Sequence, residues 1–130
     1  MPGDDAGRWC REMMKEAAQK DSVLIVWTSA DRDVALRMVL MYAGNAKRRG
    51  WWEHVTLLVW GPSQRLLAED EVLQTEITAG IDLGVRVIAC KACADSYPVT
   101  EQLESLGVEV FYTGQLLTDW LKAGAAIVTF

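Results

Sequence analysis

Short runs of apolar residues alternate along this chain with longer stretches in which apolar residues recur at helical spacing. The runs cover residues 22–27, 54–60, 85–88, 108–112 and 126–130. The first run is continuous, which is typical of a strand that is covered on both faces. Strands that alternate with helices predict a parallel sheet, because parallel strands need a crossover connection. We therefore predict a three-layer α/β/α fold with a five-stranded parallel sheet.

The helical stretches between these runs begin and end at recognisable capping residues. Ser29 or Asp31 is predicted to cap the helix that extends to about residue 49. Glycine follows the predicted helices, at Gly50, Gly84 and Gly124, as expected where a helix stops. We predict that the last helix buries four side chains, those of Leu116, Leu117, Trp120 and Leu121.

The helix before residue 49 carries more apolar residues than one buried face requires. One stripe contains Val34, Ala35, Met38, Val39 and Tyr42, and a second contains Leu36, Leu40, Ala43 and Ala46. A helix that covers a sheet needs only one such stripe. With six tryptophans in the chain, this surplus favours a homo-oligomer, most simply a trimer or hexamer.

Length and composition indicate one globular domain over residues 1–130, in which residues 1–21 form an N-terminal helical extension. The chain is 51% hydrophobic and 24% charged, which excludes a disordered protein. Its net charge of -5 argues against binding to nucleic acid or to an anionic membrane surface. No apolar stretch approaches the ~20 residues of a membrane span, and the acidic start is unlike a secretory signal.

The three cysteines do not form a disulfide framework, because the count is odd and two of them lie three residues apart. A cytoplasmic location, where thiols stay reduced, is therefore expected. Cys10 lies on the predicted first helix, where a small apolar role is usual for a free cysteine. Cys90 and Cys93 instead follow the third predicted strand, at the edge of the sheet where ligands collect in α/β proteins.

Cys90 is a candidate nucleophile because of this position. Backbone amides at the start of a following helix, and the positive charge of Lys91, would both lower its thiol pKa. Thr28 and Ser63 follow the first and second predicted strands, so they are candidate residues of the same pocket. His54 begins the second strand, at the opposite edge, which argues against a Cys-His catalytic pair.

Four interpretations of the Cys90-Lys91-Ala92-Cys93 segment remain open on its residues alone. It could be a thioredoxin-type dithiol, although that motif follows an early strand and usually has Pro or Gly between its cysteines. It could belong to a zinc site, but such a site needs about four ligands and we expect no metal and no cofactor. Structural cysteines and a thiolate that carries a chemical group are the two stronger interpretations.

The order of several motifs resembles the DsrE/DsrF-like family of small α/β sulfur-relay proteins, flavodoxin-like in general architecture. The resemblance covers most of the chain and is carried by these segments: Trp60-Gly61-Pro62-Ser63, Gly84-Val85, Ala89-Cys90-Lys91-Ala92-Cys93-Ala94-Asp95, Leu106-Gly107-Val108-Glu109-Val110, Thr113-Gly114, Leu117-Thr118 and Val128-Thr129-Phe130.

This resemblance implies that Cys90 accepts sulfur as a persulfide and that Cys93 matches a second cysteine of some members. It also implies assembly into trimers or hexamers. We therefore expect a sulfur carrier or sulfurtransferase, whose partners are sulfur donor and acceptor proteins or small sulfane compounds. Cys93 would resolve the persulfide as a disulfide or protect it. The alternative is a non-catalytic binding or assembly domain whose cysteines only pack.

Overall fold

Five parallel strands form the centre of the computed structural model, which describes residues 21–130. The strands are β1 (Ser22–Trp27), β2 (His54–Val59), β3 (Arg86–Cys90), β4 (Glu109–Phe111) and β5 (Ala126–Thr129). They lie in the order β4-β3-β2-β1-β5. The predicted parallel five-stranded sheet is confirmed, and each strand lies within about two residues of its predicted run. The helix predicted before residue 21, with Cys10, lies outside the described residues.

Helices connect all consecutive strands. The first, α1, is one continuous helical segment made of Arg32–Val34, a π-helical part at Ala35–Leu40, and Met41–Arg48. The others are α2 (Pro62–Glu69), α3 (Glu71–Leu83), α4 (Lys91–Ser96), α5 (Thr100–Ser105) and α6 (Gly114–Lys122). Asp31 caps α1, since its carboxylate accepts hydrogen bonds from the N–H groups of Asp33 and Val34.

The helices divide between the two faces of the sheet because the chain reverses its direction across it. From β1 to β4 each new strand is added on the same side, whereas β5 returns to pair with β1. Since crossovers between parallel strands are right-handed, this reversal places α6 on the opposite face from α1 to α5. Two apolar clusters confirm the three-layer α/β/α fold: one joins the sheet to α1–α5, and the other contains Leu116 and Trp120 of α6.

The π-helical part of α1 changes which residues face the sheet. A π turn contains an additional residue, so the buried positions after it are shifted relative to a regular α-helix. The buried side chains therefore come from both predicted stripes, namely Ala35, Val39, Leu40, Ala43 and Ala46. Met38 was predicted within a stripe but is 48% exposed, and the neighbouring Met41 is 54% exposed.

Two local predictions are wrong. The sequence predicts helical residues from the Gly61-Pro62-Ser63 turn as far as Leu83, but the helix is interrupted at Asp70, which has an extended backbone and whose side chain accepts a hydrogen bond from the N–H of Leu73. Leu121 was expected to face inward but is 61% exposed. It lies one residue beyond Trp120, whose buried ring already fills the contact between α6 and the sheet.

Candidate functional site

Cys90 is the last residue of β3, and its position is defined by the strands and helices around it. β3 pairs with β4, where Cys90 lies opposite Phe111. The helix that follows β3 packs on one face of the sheet, and the helix that follows β4 packs on the other. A crevice forms beyond the carboxyl ends of two strands whose connections diverge in this way, and α/β proteins bind ligands there. The topology therefore places Cys90 at the strand end where such a crevice is expected.

The Cys90 thiol is surrounded by hydrogen-bond donors although it is only 7% exposed. Burial raises the pKa of this thiol, but the N–H and hydroxyl groups of Thr113 and the N–H groups of Cys93 and Ala92 outweigh that effect and hold the pKa below its ordinary value. The neutral thiol makes no capping hydrogen bond of standard geometry. These donors therefore act mainly on the charged thiolate, which is the stronger acceptor.

Thr113 was not predicted as a site residue. It directly precedes α6, it is fully buried, and its hydroxyl has no hydrogen-bond partner of standard geometry among residues 21–130. An unpaired buried hydroxyl is unfavourable, and the group that it reaches is the Cys90 sulfur. The sequence contained one signal of this contact, namely a residue with a hydroxyl group shortly after the end of a strand, as Thr28 and Ser63 also are.

Gln64 is a second buried polar residue that the sequence did not identify. Its side-chain amide lies in the first turn of α2 and donates hydrogen bonds to the carbonyl oxygens of Val59 (3.0 Å) and Cys90 (3.1 Å). Gln64 therefore joins the carboxyl ends of β2 and β3. Its Oε1 atom has no partner among the described residues.

Cys93 lies in the first turn of α4, three residues after Cys90, and is partly exposed. Both cysteines are free thiols. Residues three apart at the start of a helix lie on the same side of it. A buried thiol and a more exposed thiol thus lie three residues apart in the chain at the carboxyl edge of β3.

Lys91 lies next to Cys90 in the chain, but its ammonium group is paired elsewhere. Its Nζ atom lies 2.8 Å from Oδ2 of Asp95, and this hydrogen bond raises the pKa of Lys91. Asp95 also accepts a hydrogen bond of 2.7 Å from the hydroxyl of Thr100. The groups that shift the Cys90 pKa most do not include Lys91.

Ser63 and Thr28 lie at the predicted edge of the sheet, but their hydroxyl groups bind backbone carbonyls. The hydroxyl of Ser63 donates to Trp27 O (2.6 Å), and that of Thr28 donates to Phe130 O (2.9 Å). Both residues thus connect strand ends. Thr28 follows β1, which is two strands from β3 and so about 10 Å away.

Other kinds of site find little support within residues 21–130. No group of three or more His, Cys, Asp or Glu side chains there is arranged to hold a metal ion, and no helix there is long and apolar enough to cross a membrane. His54 begins β2, at the opposite edge from Cys90, as predicted. A groove of about 580 Å³ between α1 and α3 is lined by neither Cys90 nor Cys93. We favour the cysteine edge as the site of chemistry because it has a nucleophile.

The fold and the site define a three-layer α/β/α protein with a cysteine at the end of β3. The connections that follow β3 and β4 leave the sheet on opposite faces there, and we call this place the divergence point of the sheet. No protein-family model and no curated protein matches the chain. A solved structure of a conserved protein of unknown function from Bacteroides thetaiotaomicron is similar, with 38% sequence identity and a TM-score of 0.83. The alignment covers 85% of this chain and 95% of that chain. The chain therefore belongs to the same family as that conserved protein of unknown function.

Proposed function

We propose that the protein is a sulfur carrier, in which Cys90 accepts a sulfane sulfur as a persulfide and passes it on. The observation that carries this proposal is the arrangement around the Cys90 thiol. It lies at the divergence point of the sheet and is surrounded by the N–H and hydroxyl groups of Thr113 and the N–H groups of Ala92 and Cys93. A thiolate is the nucleophilic form of cysteine, and these donors favour it.

The loading step requires no external oxidant. The Cys90 thiolate attacks the outer sulfur of a donor persulfide, R–S–SH, and forms the bond of Cys90–S–SH. The S–S bond of the donor breaks, and its electron pair leaves with the R–S⁻ thiolate. The same donors that favour the Cys90 thiolate make Cys90 a good leaving group when an acceptor thiol later takes the outer sulfur.

The resemblance to the DsrE/DsrF-like family supports this proposal through the order of its motifs. The number and spacing of the cysteines separately favour a carrier that acts in the cytoplasm, where thiols stay reduced. The resemblance adds that the sulfur donors and acceptors are proteins or small sulfane compounds. It also adds a homo-oligomeric assembly. The exposed Met38 and Met41 of α1, and Leu83 at the far side of the groove, are apolar surface that a second copy would cover.

A second candidate function follows from that apolar surface alone. The chain could be a non-catalytic assembly domain, in which Cys90 is only a buried packing residue at the end of β3. This alternative explains the low exposure of Cys90. It does not explain why several hydrogen-bond donors surround the sulfur, because a structural cysteine has no need of them.

The experiment that tests the proposal measures which thiol reacts. Limiting iodoacetamide at neutral pH should label Cys90 first, and glutathione persulfide should add the mass of one sulfur atom to it. Cys90→Ser should abolish this addition, whereas Cys93→Ser and Cys10→Ser should still accept one sulfur. If Cys93 were labelled first and Cys90→Ser still took up sulfur, Cys90 would not be the nucleophile. If neither Cys90→Ser nor Cys93→Ser altered labelling or uptake, the assembly domain would be the better explanation.

A further inference from the structure

Cys90 and Cys93 differ in access as well as in environment, and both differences bear on how sulfur leaves the protein. Cys90 is 7% exposed, whereas Cys93 is partly exposed on the first turn of α4. Loading of the buried sulfur at the end of β3 therefore calls for a small donor such as glutathione persulfide, whereas a protein or other bulky acceptor can approach only the surface of α4. The proposed carrier therefore needs a route from the buried thiol to the surface.

The donors around Cys90 favour movement of sulfur away from it. The fully buried Thr113 hydroxyl has no partner of standard geometry among the described residues and acts on the Cys90 sulfur together with the N–H of Thr113. In a persulfide the charge lies on the outer sulfur, about 2 Å beyond Sγ, where donors directed at Sγ are less effective. Returning the charge to Sγ therefore restores these interactions.

Cys93 is placed to receive that sulfur. Its own N–H is one of the donors to Cys90, so the two residues have the relation of a helix-capping residue and the third helical residue. In a capping box the side chains of these two positions reach towards each other's backbone. Cys90 itself precedes the helix with an extended backbone, so the two thiols approach each other at the helix start, on the side where such reciprocal contacts form.

We propose that Cys93 is the exit thiol, which takes the outer sulfur from Cys90 and presents it to an acceptor. This inference rests on the proposed function of Cys90. The Cys93 thiol loses its proton to solvent and its thiolate attacks the outer sulfur of Cys90–S–SH. The bond from that sulfur to Cys90 Sγ breaks, and the electron pair stays on Cys90 as a thiolate. The product is Cys93–S–SH, and the transfer involves no net oxidation or reduction.

The test compares two acceptors of different size on protein loaded with glutathione persulfide and then desalted. Cyanide is small enough to reach a buried persulfide and removes its outer sulfur as thiocyanate. A thiol-terminated polyethylene glycol is bulky and reaches only the surface. The wild-type chain should lose its sulfur to both acceptors. Cys93→Ser should still lose it to cyanide at nearly the wild-type rate, but to the polymer at least about tenfold more slowly, because access limits exchange. Cys10→Ser is the control with one thiol fewer.

Each result has one meaning. If Cys93→Ser passes sulfur to the polymer as fast as the wild type does, Cys90 delivers directly and the exit role is wrong, although the carrier proposal stands. If the loaded wild type releases hydrosulfide and forms a Cys90–Cys93 disulfide, Cys93 resolves the persulfide and the exit role is also wrong. If the wild type takes up no sulfur, both proposals fail.

Discussion

Thr113 is the residue whose role the structure defines best. Its hydroxyl is buried without a partner of standard geometry in the described part of the chain, an arrangement that normally costs about 1–3 kcal/mol. The same hydroxyl lowers the pKa of Cys90. A group that is unfavourable beside a neutral thiol and favourable beside a thiolate suits a reactive cysteine better than a packed one.

Thr113→Val tests this role, because valine has nearly the same shape but lacks the hydroxyl. In a Cys10→Ser/Cys93→Ser background, the alkylation rate of Cys90 should rise with pH through an inflection below the ordinary pKa of a thiol. Loss of the hydroxyl raises the Cys90 pKa, so the inflection should move to higher pH and alkylation at neutral pH should slow several-fold. Thr113→Ser should restore the original profile, and an unchanged profile in Thr113→Val would contradict this account.

Thr113→Val should stabilise the folded protein although it slows the alkylation of Cys90. Below the Cys90 pKa the thiol is neutral, so Thr113→Val removes an unpaired buried hydroxyl and should raise the free energy of unfolding by about 1 kcal/mol. Because the folded-state pKa is lowered, the thiolate adds stability as the pH rises through it, and the valine variant should lose part of its advantage there. Urea denaturation at several pH values measures this difference, and a uniform loss of stability would contradict it.

Among the secondary-structure elements, α2 fixes the end of β3 through Gln64. The Gln64 amide donates to carbonyl oxygens at the ends of β2 and β3. Gln74 in α3 makes two similar hydrogen bonds, to the carbonyl oxygens of Leu67 and Ala68, but makes none to the cysteine edge. Gln74 is therefore a matched control for Gln64: each side-chain amide donates to two carbonyl oxygens, but only that of Gln64 reaches the cysteine edge.

We expect Gln64→Leu and Gln74→Leu each to lower the free energy of unfolding by about 1–2 kcal/mol, because buried or partly buried carbonyls lose their donors. Only Gln64→Leu should also change the rate at which iodoacetamide labels Cys90, since only Gln64 bonds the Cys90 carbonyl. Urea denaturation and timed alkylation measure the two effects. Equal effects of both substitutions on labelling would show that Gln64 has no specific role at the site.

The sequence predicted the elements better than it predicted their contacts. Continuous apolar runs and terminal glycines located the strands and most helix ends, and they placed Cys90 at the end of β3. Regular helical spacing could not reveal the π turn in α1, because an additional residue shifts the buried face only from that point onward. It also could not reveal the roles of Gln64 and Thr113. Their contacts with Cys90 depend on β3 lying between β2 and β4, and the sequence left that order open.

For the whole molecule, the remaining prediction concerns assembly. Met38 and Met41 project from α1 with 48% and 54% exposure, and they lie three residues apart beside or in the large groove. Adjacent exposed apolar side chains of this size favour contact with another protein surface. A second copy of the chain is the partner that we propose.

Sedimentation velocity at micromolar concentration should show the wild-type protein as a trimer or hexamer. Met38→Lys/Met41→Lys should shift it to smaller species, because charged groups would be buried in the contact. Leu121→Lys is the matched control: Leu121 is 61% exposed but lies on α6, at the other face of the sheet. A wild-type monomer, or an equal effect of Leu121→Lys, would refute an α1 interface.

The position of β5 affects how the chain folds while the ribosome is still making it. β5 pairs with β1, so Leu24 and Val26 lack their contacts until residues about a hundred positions later have been synthesised. Until residues 114–129 leave the exit tunnel, one face of the nascent sheet lacks α6 and its neighbouring strand. A nascent chain halted before residue 114 should therefore stay bound to a holdase chaperone, whereas a chain extended by a linker that carries residues 114–129 out of the tunnel should not.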